Sequence, residues 1–186
     1  MGENSGSKEK ILETVVELLL DGQDASKVSN RQIASIAGVN SALINYYFQS
    51  KDNLVGIAAG ICMEKIAGAL NEYSKDLCVG DRIKQMLKDF SDFCYSNITI
   101  AEIAINADLK QGSIHTSGII LPLFREHFGK EKTDNELKLL TFQLLHPMQL
   151  LFINRNEYKT YLSCDPSSKD IRDNMIETLV DNIFMK

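Results

Sequence analysis

The chain has few residues of the kinds that interrupt or cross-link a fold. Its 186 residues include only three prolines and four cysteines. The cysteines form neither a CxxC pair nor a Cys/His cluster with the spacing of zinc ligands. Because 44% of the residues are hydrophobic and can fill a core, we expect the chain to fold without a metal or a disulfide. A reducing cytoplasm is the compartment that this cysteine pattern predicts.

Long apolar segments and enzyme motifs are also missing. No uncharged apolar run approaches the roughly 18 residues that a membrane span requires, and residues 1–7 lack the apolar core of a signal peptide. There is no GxSxG elbow, no phosphate-binding glycine loop and no HExxH pair. We therefore expect a cytoplasmic protein that is not an enzyme, does not enter a membrane and uses no cofactor or metal.

The balance of charge is acidic. A formal net charge of −5 argues against a protein that coats nucleic acid nonspecifically, because such binding relies on many phosphate-neutralising cations. Acidic residues also outnumber basic ones within the first 55 positions. Any specific contact with DNA must then depend on where the few basic side chains lie.

Apolar residues recur at helical spacing through nearly the whole chain, without a strand-length alternation. This pattern predicts an all-α protein of about nine helices. The first helix covers about 8–20. A long fourth helix begins after Ser50 and keeps its register to about Ser74. It would connect an N-terminal head, residues 1–50, to a C-terminal body, residues 51–186.

The head carries the local signals of a helix-turn-helix. Ser29 and Gln32 form a capping box that begins a short second helix. Gly38 supplies the left-handed residue that ends it, and Asn40 can cap a short third helix. Two short helices joined by a tight glycine turn are typical of DNA-binding heads.

Residues 29–54 closely resemble the head of the TetR (tetracycline-repressor-like) regulators. The specific part is IA, then AGV, then YYFxSKxxL, which spans Ile33 to Leu54. The preceding helix, the long fourth helix and the chain length are also similar to that family. The resemblance implies a homodimer that binds operator DNA through its heads and a small-molecule effector in its body.

Packing predicts which face of the third helix is available to DNA. Apolar side chains of the second and third helices have the spacing to pack against Leu12, Val16 and Leu19. They are Ile33, Ile36, Ala37, Val39, Ile44 and Phe48. The remaining face would offer short side chains and aromatic hydroxyls to the major groove. That face comprises Ser41, Ala42, Asn45, Tyr46 and Tyr47.

Two basic residues complete the predicted interface. Lys51 stands at the start of the fourth helix, where free amides and the helix dipole favour an anion, so we expect it to contact a phosphate. Arg31 matches a position that often touches DNA in the related proteins, and as the only arginine of the head it is the residue that we expect to read a guanine. Asn45 could read a base edge. The alternative for each is an ordinary solvated side chain.

The eighth helix, predicted from its Thr133 cap through Ile153, is apolar around its whole circumference. Such a helix should be buried on all sides. The final helix, which follows Pro166, has a broad apolar stripe. Pairing these two helices with their symmetry mates would form a four-helix dimer interface, as the resemblance also implies.

The candidate effector contacts are polar, sulfur-containing or apolar side chains that lie on apolar helices. Gln143, His146 and Gln149 recur at three-residue spacing on the eighth helix, and polar groups in apolar walls orient small molecules. Alternatively, they form hydrogen bonds within the core or across the dimer interface. The predicted set is Cys62, Ile66, Met86, Phe90, Phe93, Gln143 and His146; helical spacing would place most of the apolar members in the core in any case.

The combined prediction is a transcription repressor. Its dimer would release a palindromic operator when an effector of unknown identity binds the body. The alternative keeps the fold but replaces the small molecule with a protein partner or a thiol switch as the controlling signal.

Overall fold

The computed structural model describes residues 3–23, 25, 27–69, 76–112 and 117–184. These residues form ten helices and no strand, which confirms the all-α prediction. The helices are α1 Glu3–Leu20, α2 Asn30–Ala37, α3 Ala42–Phe48, α4 Lys51–Ala69, α5 Val79–Ser96, α6 Ile98–Gln111, α7 Ser117–Phe128, α8 Asp134–Ile153, α9 Arg155–Leu162 and α10 Lys169–Phe184. The additional helix is α9, since the segment between the eighth and the final predicted helices is itself helical.

The chain divides into two compact units. The first comprises Met1–Met63 and Thr99–Gly112, and the second comprises Glu64–Ile98 and Ser113–Lys186. The α4 helix begins in the first unit and its last residues belong to the second. The functional division into 1–50 and 51–186 stays a prediction.

The core of the first unit fixes α2 and α3 against α1. Ile33, Ile44 and Phe48 are almost fully buried, as the spacing predicted. Ile36 is different, because its side chain is 60% exposed. With about 100° per residue, Ile33 and Ala34 define the buried face of α2 and Ile36 projects to one side of it. The prediction that Ile36 is a core residue was wrong.

The second unit has a core formed by α5, α7, α8 and α10. The α10 helix packs against α5 and α8, and α7 packs against α5 and α8. The fully or nearly fully buried side chains are Ile83, Met86, Leu87, Ile120, Leu123, Phe124, Phe128, Leu137, Leu144, Leu145, Ile176 and Val180. Among the described residues, no helix is long and apolar enough to cross a membrane.

Helix ends follow local cap chemistry in most places. The Thr133 hydroxyl accepts a hydrogen bond from the Glu136 amide at 3.3 Å, and the Thr133 amide donates to the Glu136 carboxylate at 2.7 Å, which confirms that capping box. The spacing Thr99-x-x-Glu102 also predicts a capping box at the start of the sixth helix, but α6 already begins at Ile98, so that prediction is wrong. The predicted end of the fourth helix, near Ser74, lies outside the described residues.

Candidate nucleic-acid interface and effector site

The turn between α2 and α3 has the geometry of a helix-turn-helix. The Ser29 amide donates to the Gln32 side chain at 2.9 Å, and the Ser29 hydroxyl accepts from the Gln32 amide at 3.3 Å. Gly38 ends α2 with φ 66°, a left-handed conformation that a glycine adopts at low cost. The Asn40 side chain then accepts from the Ala42 amide at 2.9 Å and begins α3.

The α3 helix has one buried and one exposed side. Ile44 and Phe48 are 0% and 1% exposed and hold the helix in the core. Ala42, Asn45 and Tyr46 recur at spacings of three and four residues and are exposed, so they share the opposite face. The core therefore fixes which α3 side chains solvent can reach.

A tight connection sets the start of α4 relative to α3. Gln49 has φ 65°, although it is not glycine. The Asn53 side chain donates to the Phe48 carbonyl at 2.9 Å, and the Ser50 hydroxyl accepts from the Asn53 amide at 3.1 Å. Lys51, half-buried, is thus held at the first position of α4.

The other predicted DNA contacts lie on α2 and α3. Arg31 is exposed in the first turn of α2, and Ser41 is half-buried just before α3. Tyr46 is 71% exposed, and its ring contacts that of Tyr47 edge to face at 5.0 Å between centroids. The side chain of Tyr46 therefore remains largely exposed to solvent near the C-terminal end of α3.

The predicted effector residues are divided between the two units. Cys62 belongs to the first unit, where it is fully buried and its sulfur lies 3.9 Å from the Val16 carbonyl. The other six belong to the second unit: Ile66, Met86, Phe90, Phe93, Gln143 and His146. Met86 is a core residue there, whereas Phe90 and Phe93 are half-buried.

The polar residues of α8 do not share one environment. Gln143 is exposed, His146 is half-buried and Gln149 is buried, because a step of three residues turns about 60° back around the helix. His146 Nδ1 and Gln149 Oε1 are both buried without a hydrogen-bond partner among the described residues. The His146 ring stacks on Phe142, with 3.9 Å between centroids.

The α8 helix also has an apolar face that the described chain leaves exposed. Leu139, Phe142 and Leu150 are 56%, 47% and 39% exposed. They recur at helical spacing on the side opposite the core residue Leu144. The expectation that this helix is buried on all sides therefore does not hold within one chain.

A groove that the sequence motifs did not predict lies in the first unit, between the start of α4 and one face of α6. None of the predicted effector residues lines it. Its signal was readable as a polar stripe on α6, which includes Glu102, Asn106 and Lys110. Within the described part of the chain, no three His, Cys, Asp or Glu side chains are grouped so as to hold a metal ion.

The fold and the α2–α3 geometry define an all-helical protein with an N-terminal helix-turn-helix head. Residues 17–56 match the family described as bacterial regulatory proteins, tetR family. This match bears out the resemblance of the head to TetR regulators, and it covers most of the head and the first residues of α4. No curated protein matches the chain.

Solved structures of TetR-type regulators share the fold over nearly the full length. A TetR-like transcriptional regulator from Rhodococcus sp. RHA1 is 16% identical, with a TM-score of 0.52 over 97% of each chain. The TetR family repressor AlkX from Dietzia sp. strain DQ12-45-1b, implicated in biodegradation of n-alkanes, is 14% identical, with a TM-score of 0.61 over 96% of this chain and 95% of that one. At these identities the likeness concerns the fold alone.

Proposed function

We propose that the protein is a dimeric repressor that binds a palindromic operator through α2, α3 and the start of α4. The exposed stripe of Ala42, Asn45 and Tyr46, opposite the buried Ile44 and Phe48, carries the proposal. Short side chains at the start of a rigid helix allow close approach to base edges, and an amide can make paired hydrogen bonds to adenine. AlkX, a repressor with the same fold, supports the repressing mode.

The proposed dimer forms through α8 and α10. The exposed Leu139, Phe142 and Leu150 give α8 an apolar face that a second copy would cover. Support from α10 is weaker, since its exposed residues are all polar: Lys169, Asp170, Asn174, Thr178 and Asn182. The α10 helix enters the proposed interface because it packs against α8.

The proposed effector site includes the polar atoms of α8. A buried polar atom without a partner costs about 1 to 3 kcal/mol, so an occupant that forms a hydrogen bond with His146 Nδ1 would gain that energy. An effector bound there must favour the conformation that does not bind DNA, and by linkage DNA opposes the effector equally. Cys62, Ile66, Met86, Phe90, Phe93 and Gln143 remain the other proposed contacts.

Titration of duplex DNA tests the DNA-binding function. The duplexes are the region upstream of the gene for this protein and a scrambled version of it, each at several salt concentrations. Asn45→Glu places a carboxylate on the exposed face of α3, and we expect it to weaken operator binding by about 5- to 150-fold, the range for one good base contact. The matched control is Asn156→Glu, on the exposed side of α9. Equal binding by both variants and the parent protein would contradict the proposed DNA face.

A further inference from the structure

A groove of about 790 Å³ lies in the first unit between the start of α4 and α6. This volume is within the range of about 300 to 1,000 Å³ that small-molecule sites occupy. The groove is lined by Ser50, Asp52, Asn53, Val55, Gly56, Thr99, Glu102, Ile103, Asn106, Ala107 and Lys110. Its lining residues on α6 recur at spacings of three, one, three, one and three, so they form a single face of that helix.

The floor of the groove is apolar and tightly packed. Val55, Gly56, Ile103 and Ala107 supply it. A side chain at position 56 would place its first carbon only 2.9 Å from the Ala107 Cβ, so α4 and α6 approach closely because position 56 is glycine. The groove therefore has a floor of fixed shape rather than one formed by long, mobile side chains.

The walls favour a cation. Asp52 and Glu102 contribute two carboxylates, while Lys110 contributes one ammonium group. Lys110 lies eight residues beyond Glu102, which is about 12 Å along the α6 axis. The two ends of the α6 face thus differ in charge. Hydroxyl and amide groups of Thr99 and Asn106 line the same face, and the Asn106 amide donates to the Glu102 carbonyl at 2.8 Å.

We propose that this groove binds a small amphipathic amine. Its ammonium group pairs with the carboxylates of Asp52 and Glu102, and its apolar body lies on the floor formed around Gly56. Charge complementarity selects an amine over a carboxylate of the same shape, because an anion would meet two like charges and only one opposite charge, that of Lys110, in the walls.

The binding experiment uses the full chain and a pair of probes that differ in charge. The probes are 4-phenylbutylamine and 4-phenylbutyrate, which share the phenyl group and the alkyl chain. Ligand-observed NMR titrations give the Kd of each. An exposed ion pair contributes about 0.2 to 1 kcal/mol, or about 1.4- to 5-fold in affinity. We expect the amine to bind about 10-fold more tightly than the carboxylate, with dissociation in the high micromolar to millimolar range.

Charge-removing variants locate the site. Asp52→Asn and Glu102→Gln should each weaken amine binding by about 2- to 5-fold, and the double variant by about 10-fold. Glu13→Gln, on the exposed side of α1, is the matched control and should leave both affinities unchanged. Far-UV circular dichroism and the Tm of each variant check that the fold is retained.

Two outcomes would overturn the proposal. One is equal affinity for the two probes, which would mean that the groove does not select by charge. The other is an amine affinity that the double variant leaves unchanged, which would place the amine elsewhere. The titrations contain no DNA, so their outcome does not depend on whether the operator-binding proposal is correct.

Discussion

Arg172 of α10 donates a hydrogen bond to the carboxylate of Asp92 on α5 and also lies over the ring of Tyr95, at 4.3 Å from the ring centroid. Arg172 is 8% exposed and donates a second hydrogen bond to the Ser167 carbonyl at 3.0 Å. Lys169 forms a further ion pair with Asp92. The helix that the dimer proposal needs is therefore attached to α5 by a partly buried charge cluster.

Removing the Asp92 charge should destabilise the second unit. Burial by itself would raise the pKa of Asp92, but the hydrogen bonds from Lys169 and Arg172 outweigh it, and the pKa lies below the ordinary value of 3.8. Asp92→Asn leaves Arg172 charged and poorly compensated. We expect a loss of about 1 to 2 kcal/mol in the free energy of unfolding at pH 7. This is less than the roughly 1.5 to 3 kcal/mol of a hydrogen bond to a charged group, because solvent screens this half-exposed carboxylate.

The pH dependence follows from the lowered pKa. A carboxylate with a lowered folded-state pKa contributes its full stability above the unfolded value, near 3.8, and that contribution is lost as the pH falls through the folded value. The difference between the parent protein and Asp92→Asn should be constant at neutral pH and shrink below about pH 4. Urea unfolding at several pH values measures it, with Glu131→Gln, in the exposed loop before α8, as control. A difference that is as large at pH 2 as at pH 7 would contradict this account.

The exposed face of α8 should be the surface that holds the dimer together. Leaving its apolar area in water costs about 25 cal/mol per Å², so we expect sedimentation at micromolar concentration to give about 41.6 kDa, twice the 20.8 kDa of one chain. Leu139→Glu should shift the protein to monomer while its helical circular dichroism is kept. Leu20→Glu is a matched control, since Leu20 and Leu139 are 52% and 56% exposed. A parent protein that sediments as a monomer would contradict both the proposed dimer and the proposed operator with two half-sites.

Sequence reasoning succeeded where one local rule decided the structure. The caps at Ser29, Gly38 and Thr133 depend on neighbours within a few residues, and all three have the predicted geometry. Ile36 was misplaced because a helix as short as α2 has few residues from which to fix its buried side. The segment that forms α9 is polar and has no buried residue, so the apolar pattern could not define it.

The candidate sites were harder to predict because they depend on which tertiary neighbours are present. Three-residue spacing suggested one polar stripe on α8, but Gln143 and Gln149 lie on different sides of the helix. The α4–α6 groove needs contacts between residues that are far apart in sequence. The polar stripe on α6 can be read from the sequence, but the close approach of Gly56 to Ala107 that forms the groove cannot.

The effects of a substitution at His146 should show what its buried Nδ1 atom contacts. If Nδ1 orients an effector, His146→Leu should leave the dimer and operator binding intact and reduce the effector response in a reporter strain. It should also keep or raise the Tm of the ligand-free protein, because an apolar group replaces a buried polar atom that has no partner among the described residues. Gln143→Leu is the parallel variant on the exposed side. An unchanged response in both variants would favour a purely structural role, and a loss of dimer would assign His146 to the interface.

Thiol chemistry should distinguish the exposed Cys78 from the buried Cys62 and Cys94, with the half-buried Cys164 reacting at an intermediate rate. Burial raises the pKa of Cys94 to about 12, so only about one part in ten thousand is thiolate at pH 8. Cys78, in contrast, is exposed at the N-terminal cap of α5. With a chromogenic disulfide reagent, we expect rapid modification of Cys78 and none of Cys94 until the protein unfolds. Cys78→Ser should remove the rapid phase. If oxidation changes operator binding by the same amount in Cys78→Ser as in the parent protein, a thiol other than Cys78 is responsible for that change.

The two classes of proposed DNA contact should separate in one set of titrations. Lys51 is held at the start of α4, where the helix dipole favours a phosphate. Lys51→Ala should therefore weaken operator and scrambled duplexes alike and lower the salt slope by about one unit for each half-site contact. Arg31 and Asn45 are exposed on α2 and α3. Their alanine variants should lose about 1 to 3 kcal/mol of preference for the operator while retaining most of their general affinity.

The acidic composition of the head should increase the difference between the phosphate contacts and the base contacts. With few cations in the head, nonspecific binding at physiological salt should be weak, so base contacts would supply most of the useful selectivity. Lys130→Ala, which removes an exposed cation between α7 and α8, controls for the loss of one positive charge. Its salt slope should match that of the parent protein. If Lys51→Ala, Arg31→Ala and Asn45→Ala all bind the operator as the parent does, the head serves a partner other than DNA.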